Sequence, residues 1–251
     1  VSALFRNGVA NWRDRELPVY QAVVARWKAL DPSSLHDTRL LDGIRELADA
    51  DARYWFAAAL AIGAAKVTDG LLDWYLQQAI PGRGLSSGMF LRGLSSRGLA
   101  AERSLDTVAD LVRGSDGLRA LVREAPPDHL LDALAAHPGG QPVLDALQRY
   151  FDEFGHLIYS LDFAVPTQSD DPLPVLLSLR ALAAQPRRDA DAAYAALVRE
   201  RDRQTHLTDR QLDPFRRRIF RNLLRWARSY APYREEALFY VGYGWPTLRR
   251  L

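Results

Sequence analysis

Residues 50–78 read ADARYWFAAALAIGAAKVTDGLLDWYLQQ, a stretch without proline that decides the fold class. Alanine and leucine dominate it, and both are good helix formers. We therefore predict one long helix from about Ala50 to Gln78. Its most apolar part, from Tyr54 to Ala65, is closed by Lys66 and is shorter than the roughly 18–20 residues that a membrane span needs. A buried helix of a soluble protein is the better interpretation.

Helical periodicity recurs on both sides of this stretch. After Pro18, residues Val19 to Leu30 predict a first long helix, because proline suits a helix start. Two further segments repeat apolar residues at three- and four-residue steps, which predicts one buried helix face in each. They are Leu144, Leu147, Phe151, Phe154 and Ile158, and then Leu212, Phe215, Ile219, Leu223 and Trp226. The chain is therefore predicted to be all-α, a multi-helix globular domain with irregular connecting segments.

Prolines and glycines mark the breaks between these helices. Pro81-Gly82 ends the long helix, and Asp171-Pro172 predicts an N-cap followed by proline at the first helical position. Pro186 is expected to close that helix. Residues 162–171 are predicted to be irregular, and irregular segments often carry binding residues. The organisation that follows is a single domain over residues 1–251, or two subdomains over 1–80 and 88–251.

The composition excludes several kinds of site. The chain has no cysteine, which removes disulfides, thiolate metal sites and cysteine nucleophiles. Its net charge of +2 creates no general attraction to nucleic acid or membrane. Residue 1 is valine, no signal pattern follows it, and Met89 is the only methionine. We expect a cytoplasmic protein, and we suspect that the chain is a fragment of a longer one.

One polar stripe contains a histidine. Asp152, His156 and Tyr159 are spaced to share one helix face, just before the irregular segment. They indicate a ligand cleft or, alternatively, a solvated outer face with a local Asp–His pair. A zinc site needs three or four ligands, and the other histidines lie in unrelated segments. No metal site is predicted.

Arginines form two further features. A basic stripe on one helix face consists of Arg217, Arg221, Arg225 and Arg228. It indicates nucleic-acid binding or, as we favour, a solvated or ion-paired face. The series Arg234-Glu235-Glu236 is predicted to begin the last helix, where acidic residues suit the helix dipole. Alternatively, the planar guanidinium of Arg234 binds phosphate oxygens in pairs.

Three of these segments together resemble one family, the phosphoenolpyruvate-utilising phosphotransferases of the phosphoenolpyruvate synthase and pyruvate phosphate dikinase type. Residues 151–156 (FDEFGH) and 159–172 (YSLDFAVPTQSDDP) resemble the family segment that reads YGHR, then an acidic and an apolar stretch, then (E/D)DP. Residues 91–96 (LRGLSS) resemble its LL-x-G helix. Residues 231–239 and 248–250 resemble its REE…F…LRR helix. The segments keep the family's order from about residue 90 onward.

The resemblance implies a helical acceptor-binding domain. In such enzymes an ATP-grasp domain splits ATP, a swivelling domain carries the phosphoryl group on a histidine, and a helical domain between them holds the acceptor. This chain resembles only the helical domain, so ATP-grasp and phosphohistidine domains are expected as partners in cis or in trans. The domain itself is expected to bind no cofactor, while ATP and Mg²⁺ are implied for the full enzyme.

The resemblance also assigns site residues. Gly155 and His156 are implied to lie near the acceptor or the incoming phosphohistidine, with Asp162, Arg234 and Glu235. Leu157 and Leu238 replace basic residues that the family often carries, which leaves Arg234 as the phosphate contact.

His156 is the candidate base for a substrate hydroxyl, with an expected pKa near neutrality. Tyr159 and Tyr240 are candidate substrate-binding residues. Phe239, Tyr243 and Trp245 fit a pocket lining or a core equally well.

The predicted function is therefore acceptor binding within an ATP-dependent phosphotransferase, or kinase, of the dikinase type. This domain alone is not expected to be catalytically complete. The expected acceptor is a small organic molecule with a hydroxyl or enol group, and neither nucleic acid nor membrane is an expected partner. The alternative is a standalone helical binding or scaffold module that has lost the catalytic domains. A nucleic-acid or regulatory domain, resting only on the arginine stripe, is the third interpretation.

Overall fold

The computed structural model describes residues 2–94, 97–187 and 190–251 and is built from helices in all three ranges. The helices are α1 Ser2–Asn11, α2 Leu17–Lys28, α3 Asp37–Ala79, α4 Gly88–Leu91, α5 Arg97–Arg113, α6 Asp116–Glu124, α7 Leu130–Ala136, α8 Gln141–Phe154, α9 Leu173–Ala183, α10 Ala190–Gln211, α11 Pro214–Phe239 and α12 Trp245–Arg250. Within the described ranges, the only extended pairing is an isolated antiparallel bridge between Ile158 and Thr167. The prediction of an all-α chain is confirmed. Ser95 and Ser96 of the LRGLSS segment, and Arg188, lie outside the described residues.

Helix α3 is the longest element, with 43 residues. It begins at Asp37, well before the predicted start at Ala50, because no proline interrupts the charged stretch between them. Gly43 lies in this early part, and a Cβ atom there would come within 2.7 Å of the Trp27 ring. Glycine therefore lets α3 approach Trp27 closely. By length and composition alone, α3 could also cross a membrane, which is weak evidence because core helices pass the same test.

The chain divides into two compact units built from interleaved segments. The first unit contains Val1–Tyr20, Ala50–Ser96 and Asp189–Leu238, and the second contains Gln21–Asp49, Arg97–Arg188 and Phe239–Leu251. Helices α2 and α3 each contribute residues to both units.

The core of the first unit forms where α3, α4 and α11 bring apolar side chains together. Its buried residues include Leu72, Leu76, Phe90, Leu212, Phe220, Leu224 and Ala227. The predicted apolar face of residues 212–226 is confirmed only in part. Leu212 is buried and Ile219 and Leu223 pack against the core, whereas Phe215 is 73% and Trp226 41% exposed. Packing against α3 and α4 selects which apolar residues of α11 are buried.

Arg234 does not begin a helix, in contrast to the prediction. Helix α11 runs without a break from Pro214 to Phe239 and contains Pro232. The arginine stripe on α11 is largely satisfied by nearby oxygens. Arg221 forms a two-bond ion pair with Asp209 (2.6 and 2.7 Å), and Arg228 donates to the Phe90 carbonyl and the Thr205 hydroxyl. These contacts support the ion-paired interpretation of the stripe.

In the second unit, α5 packs between α8 and α9. Its buried contacts come from Val108, Ala109, Val112, Val143, Leu147, Phe154, Leu176 and Leu179. Helix α8 ends at Phe154, so Ile158 does not belong to its apolar face as predicted. The N-cap of α9 is Pro172, one residue after the predicted Asp171, whose carboxylate accepts the Leu173 N–H (3.1 Å) from just outside the helix. Helix α9 ends at Ala183, before Pro186.

Candidate functional site

The candidate site lies in the second unit, where the chain turns sharply after α8. Gly155 makes this turn, and its N–H donates to the Phe151 carbonyl at 2.8 Å. A Cβ atom at Gly155 would lie 2.4 Å from that carbonyl oxygen and 2.9 Å from the Ser169 Cβ. Only glycine fits this close approach. The turn ends the helix and directs His156 into the interior instead of along the predicted polar stripe.

His156 is buried, with 9% of its surface exposed. Its Nε2 lies 3.0 Å from the carbonyl oxygen of Phe239. A carbonyl only accepts, so Nε2 must carry the proton and Nδ1 is the unprotonated nitrogen of the neutral ring. Within the described part of the chain, no hydrogen bond reaches Nδ1. The structure therefore presents one free acceptor nitrogen on a fixed imidazole.

Burial lowers the pKa of His156 to about 4, because the charged imidazolium would lose its hydration. The hydrogen bond to Phe239 opposes this shift, while the positive charges of Lys28 and Arg97 add to it. The expectation of a pKa near neutrality is wrong for this reason. At neutral pH the ring is uncharged and its Nδ1 is continuously available as a hydrogen-bond acceptor.

Three aromatic residues surround the imidazole. The ring of Phe239 meets it edge-on with centroids 4.7 Å apart, and that of Tyr243 does so at 5.1 Å. The ring of Tyr240 lies parallel to it at 6.1 Å. The turn after Phe239 reaches this position because Gly242 has no side chain, since a Cβ there would lie 2.5 Å from the His156 carbonyl oxygen. Tyr240, predicted from the sequence, is thus placed beside His156.

Two cations lie near this aromatic cluster. The guanidinium of Arg97 is 5.5 Å from the centre of the Phe239 ring, a distance typical of a cation–π contact. Lys28 and Arg97 are both exposed, and among the described residues neither side chain forms an ion pair. Neither residue was assigned a role from its sequence context. Arg97 and Phe239 are far apart along the chain, so no local pattern could have indicated their contact.

The irregular segment 157–172 is held in place by backbone and side-chain bonds. Gln168 N–H donates to the Leu157 carbonyl at 3.0 Å, next to the bridge formed by Ile158. Arg249 binds the Asp170 carboxylate and donates to the Val165 carbonyl at 2.7 Å. Arg249 thus fixes this segment, a role that the resemblance of residues 248–250 did not assign.

Tyr159 and Asp162 lie in this segment, and their side chains form hydrogen bonds within it. The Tyr159 hydroxyl donates to the Asp171 carbonyl at 3.0 Å, and partial burial together with the charge of Asp171 raises the pKa of Tyr159 to about 12. The Asp162 carboxylate accepts the N–H of Ala164 at 2.9 Å, as in an Asx-turn. The structure shows neither side chain in contact with His156.

Arg234 and Glu235 lie in the first unit, on α11. The Arg234 guanidinium donates to the carboxylate of its neighbour Glu235 at 2.8 and 3.0 Å. The structure therefore groups Tyr240 with His156, and Arg234 with Glu235. Among the described residues, no group of three or more histidine, aspartate or glutamate side chains is placed to hold a metal ion.

Comparisons with known proteins extend this picture. Residues 91–235 match the family model described as the rifampicin phosphotransferase fourth domain. A rifampicin phosphotransferase from a Streptomyces species is 33% identical over 135 residues, which cover 51% of this chain and 16% of that protein. Together with the fold, these findings define a helical domain related to the phosphoenolpyruvate-utilising phosphotransferases, which confirms the resemblance. The chain belongs to the family of the rifampicin phosphotransferase fourth domain.

Proposed function

We propose that this domain binds the acceptor of an ATP-dependent phosphotransferase, at the site formed by His156 and its aromatic neighbours. The observation that supports this most is the buried neutral imidazole with an unpartnered Nδ1. An acceptor hydroxyl donates to Nδ1, while the ring faces of Phe239, Tyr240 and Tyr243 contact its carbon skeleton. The acceptor class is a hydroxylated small organic molecule, for which the Streptomyces relative's name suggests rifampicin as the first compound to test.

The charges near the site suit an incoming phosphoryl group. Arg97 and Lys28 are cations without ion-pair partners among the described residues, and their positive charges add to the lowering of the His156 pKa that burial mainly causes. A phosphoryl group placed there is attracted by both positive charges. We propose Arg97 as the phosphate contact of this unit, in addition to Arg234 in the first.

In the proposed reaction the acceptor oxygen forms a bond to phosphorus and the bond from phosphorus to the donor histidine breaks. The hydroxyl proton leaves along its hydrogen bond to Nδ1 of His156. A pKa of about 4 means that the imidazole passes this proton on to solvent and does not retain it. The donor histidine belongs to a phosphohistidine domain, which together with an ATP-grasp domain is proposed to act with this chain in cis or in trans. ATP and Mg²⁺ are proposed for that whole enzyme.

The direct test is calorimetric binding of rifampicin, pyruvate, phosphoenolpyruvate and a panel of hydroxylated natural products to the 251-residue chain. His156→Gln keeps an N–H for the Phe239 carbonyl but removes the Nδ1 acceptor, so affinity should fall roughly tenfold or more. His129→Gln, at an exposed position, is the matched control and should bind normally. Arg97→Ala should weaken the binding of phosphorylated ligands. Arg83→Ala, which replaces another exposed arginine, should leave that binding unchanged.

The possible outcomes separate the candidate functions. If neither His156→Gln nor Arg97→Ala changes the affinity, the domain would still bind an acceptor, but at a site other than the one proposed. If the folded chain binds none of these compounds, the result would contradict the acceptor proposal and favour a standalone scaffold function. Binding by itself leaves the enzymatic role to be tested by adding an ATP-grasp and phosphohistidine protein and measuring ATP-dependent phosphorylation of the bound compound.

A further inference from the structure

Helix α3 carries an exposed apolar stripe in the first unit, outside the residues that match the family model. Its large side chains are Phe56, Leu60, Val67, Leu71 and Trp74, which are 77%, 46%, 45%, 38% and 60% exposed. Gly63 and Gly70 lie on the same side of the helix, because all seven positions follow three- and four-residue steps. A Cβ atom at either glycine would meet no atom within 4 Å. We call this surface the α3 stripe.

The α3 stripe is complementary to itself when two copies run antiparallel. With the two-fold axis at Ala65, residues equally far from Ala65 face each other. Leu60 of one copy then faces Gly70 of the other, and Val67 faces Gly63, so a large side chain meets an empty position each time. Leu71 faces Ala59, which is also small and exposed. Interdigitation of this kind lets two helix axes approach to about 8 Å.

The ends of the stripe also fit each other. Phe56 and Trp74 are equally far from Ala65, so the Trp74 ring of the second copy arrives beside Phe56. An open cavity of about 320 Å³ lies there, lined by Asn11, Glu16, Ala52, Arg53, Phe56 and Ala57. An indole ring can enter this cavity, and the Arg53 guanidinium at its edge is suited to stack on it. A two-fold pair fills two such cavities.

The exposed area is also what a stable dimer needs. Phe and Trp side chains bury roughly 150–250 Å² each, so the exposed fractions of Phe56 and Trp74 correspond to roughly 250 Å². With the three aliphatic residues, the stripe offers roughly 400 Å² of apolar surface. A standard interface buries about 800 Å² per partner, of which slightly more than half is apolar.

From these three observations we propose that the chain forms an antiparallel homodimer through the α3 stripe. The proposal does not depend on the proposed acceptor site, which lies in the second unit.

Sedimentation equilibrium of the 251-residue chain, from about 1 to 100 µM, tests the proposal. The wild type should dimerise, and Gly63→Leu should raise the dissociation constant at least roughly thirtyfold by blocking the close approach. Gly63→Leu should leave the fold intact, because leucine favours the helix and has open space around it. Phe56→Asp should weaken the dimer equally. The control is Phe215→Asp, at a similarly exposed position on α11, which should leave the dissociation constant unchanged.

Disulfide trapping tests the register, since the natural chain has no cysteine. Leu60→Cys and Gly70→Cys chains, mixed and oxidised, should cross-link to each other. Neither should cross-link with itself, because like residues are separated by ten helical positions, about 15 Å along the axis. Self-linked Leu60→Cys would overturn the antiparallel arrangement. A wild type that stays monomeric at about 100 µM, or that sediments as a monomer with phospholipid vesicles, would overturn the dimer.

Discussion

Replacing His156 with glutamine is expected to reduce the loss of stability in mild acid. The pKa of His156 is about 4 in the folded chain, compared with 6.5 for an ordinary histidine, because burial penalises the charged ring. Above pH 6.5 the imidazole is neutral in both the folded and the unfolded state. Below that pH the unfolded chain takes up a proton that the folded chain does not accept until about pH 4. The folded state therefore loses stability as the pH falls through this window.

The size of the effect follows from the two pKa values. A difference of one pKa unit corresponds to about 1.36 kcal/mol, so the full loss below pH 4 is roughly 3 kcal/mol. At pH 5 it is already roughly 2 kcal/mol. Glutamine does not titrate and can keep a donor for the Phe239 carbonyl, so the variant should lack this component and retain the other pH effects of the chain.

Urea unfolding at pH 7 and pH 5, followed by tryptophan fluorescence, measures this difference. The wild type should lose roughly 2 kcal/mol more than His156→Gln between the two pH values. His129→Gln, which changes an exposed histidine, controls for the substitution itself. Equal losses for wild type and His156→Gln would refute the reasoning, since they would mean that the folded chain accommodates a charged His156.

Three further substitutions test packing and hydrogen bonding. Arg249→Met should destabilise the chain by about 2 kcal/mol and speed amide exchange in segment 157–172, because it removes the cation that pairs with the Asp170 carboxylate and the donor to the Val165 carbonyl. Unchanged exchange would contradict the role given to Arg249. Gly140→Ala should lower the unfolding free energy by about 2–3 kcal/mol, because its Cβ would clash with a backbone oxygen at 1.9 Å. The control Gly139→Ala would make only ordinary contacts, so its unfolding free energy should be nearly unchanged. Tyr54→Phe should lower the unfolding free energy by about 1–2 kcal/mol, because it removes the hydroxyl that donates to the buried Ala237 carbonyl. An unchanged urea midpoint would show that this carbonyl finds another donor.

The helices were predictable where one local signal dominated. The alanine-rich stretch predicted α3 correctly, although its charged first third was missed because charged residues alone indicate neither a helix nor a loop. On α11 the sequence selected a face that is only partly buried, since Ile219 and Leu223 pack against the core but Phe215 and Trp226 are exposed. Phe215 and Trp226 repeat at helical spacing as convincingly as Phe220 and Leu224, and only packing against α3 decides between them.

The candidate site was predictable only in part. The resemblance indicated Gly155 and His156, and Tyr240 was a candidate from the aromatic residues near it. The helical stripe assigned to His156 did not take account of the helix end at Gly155. The burial that lowers the pKa of His156 comes from Phe239 and its neighbours, far along the chain. Arg97 acquires its position from the same long-range packing. Such contacts depend on tertiary structure, which a single sequence does not encode locally.

Because the two units are built from interleaved segments, recombination within the gene would affect both of them. The stretch that matches the family model runs from residue 91 to 235, but both units also require chain from before and after it. A gene fragment cut at those limits would lack all of α3 and the turn that holds the Phe239 carbonyl. A recombination crossover at residue 91 or 235 is therefore expected to disrupt both units.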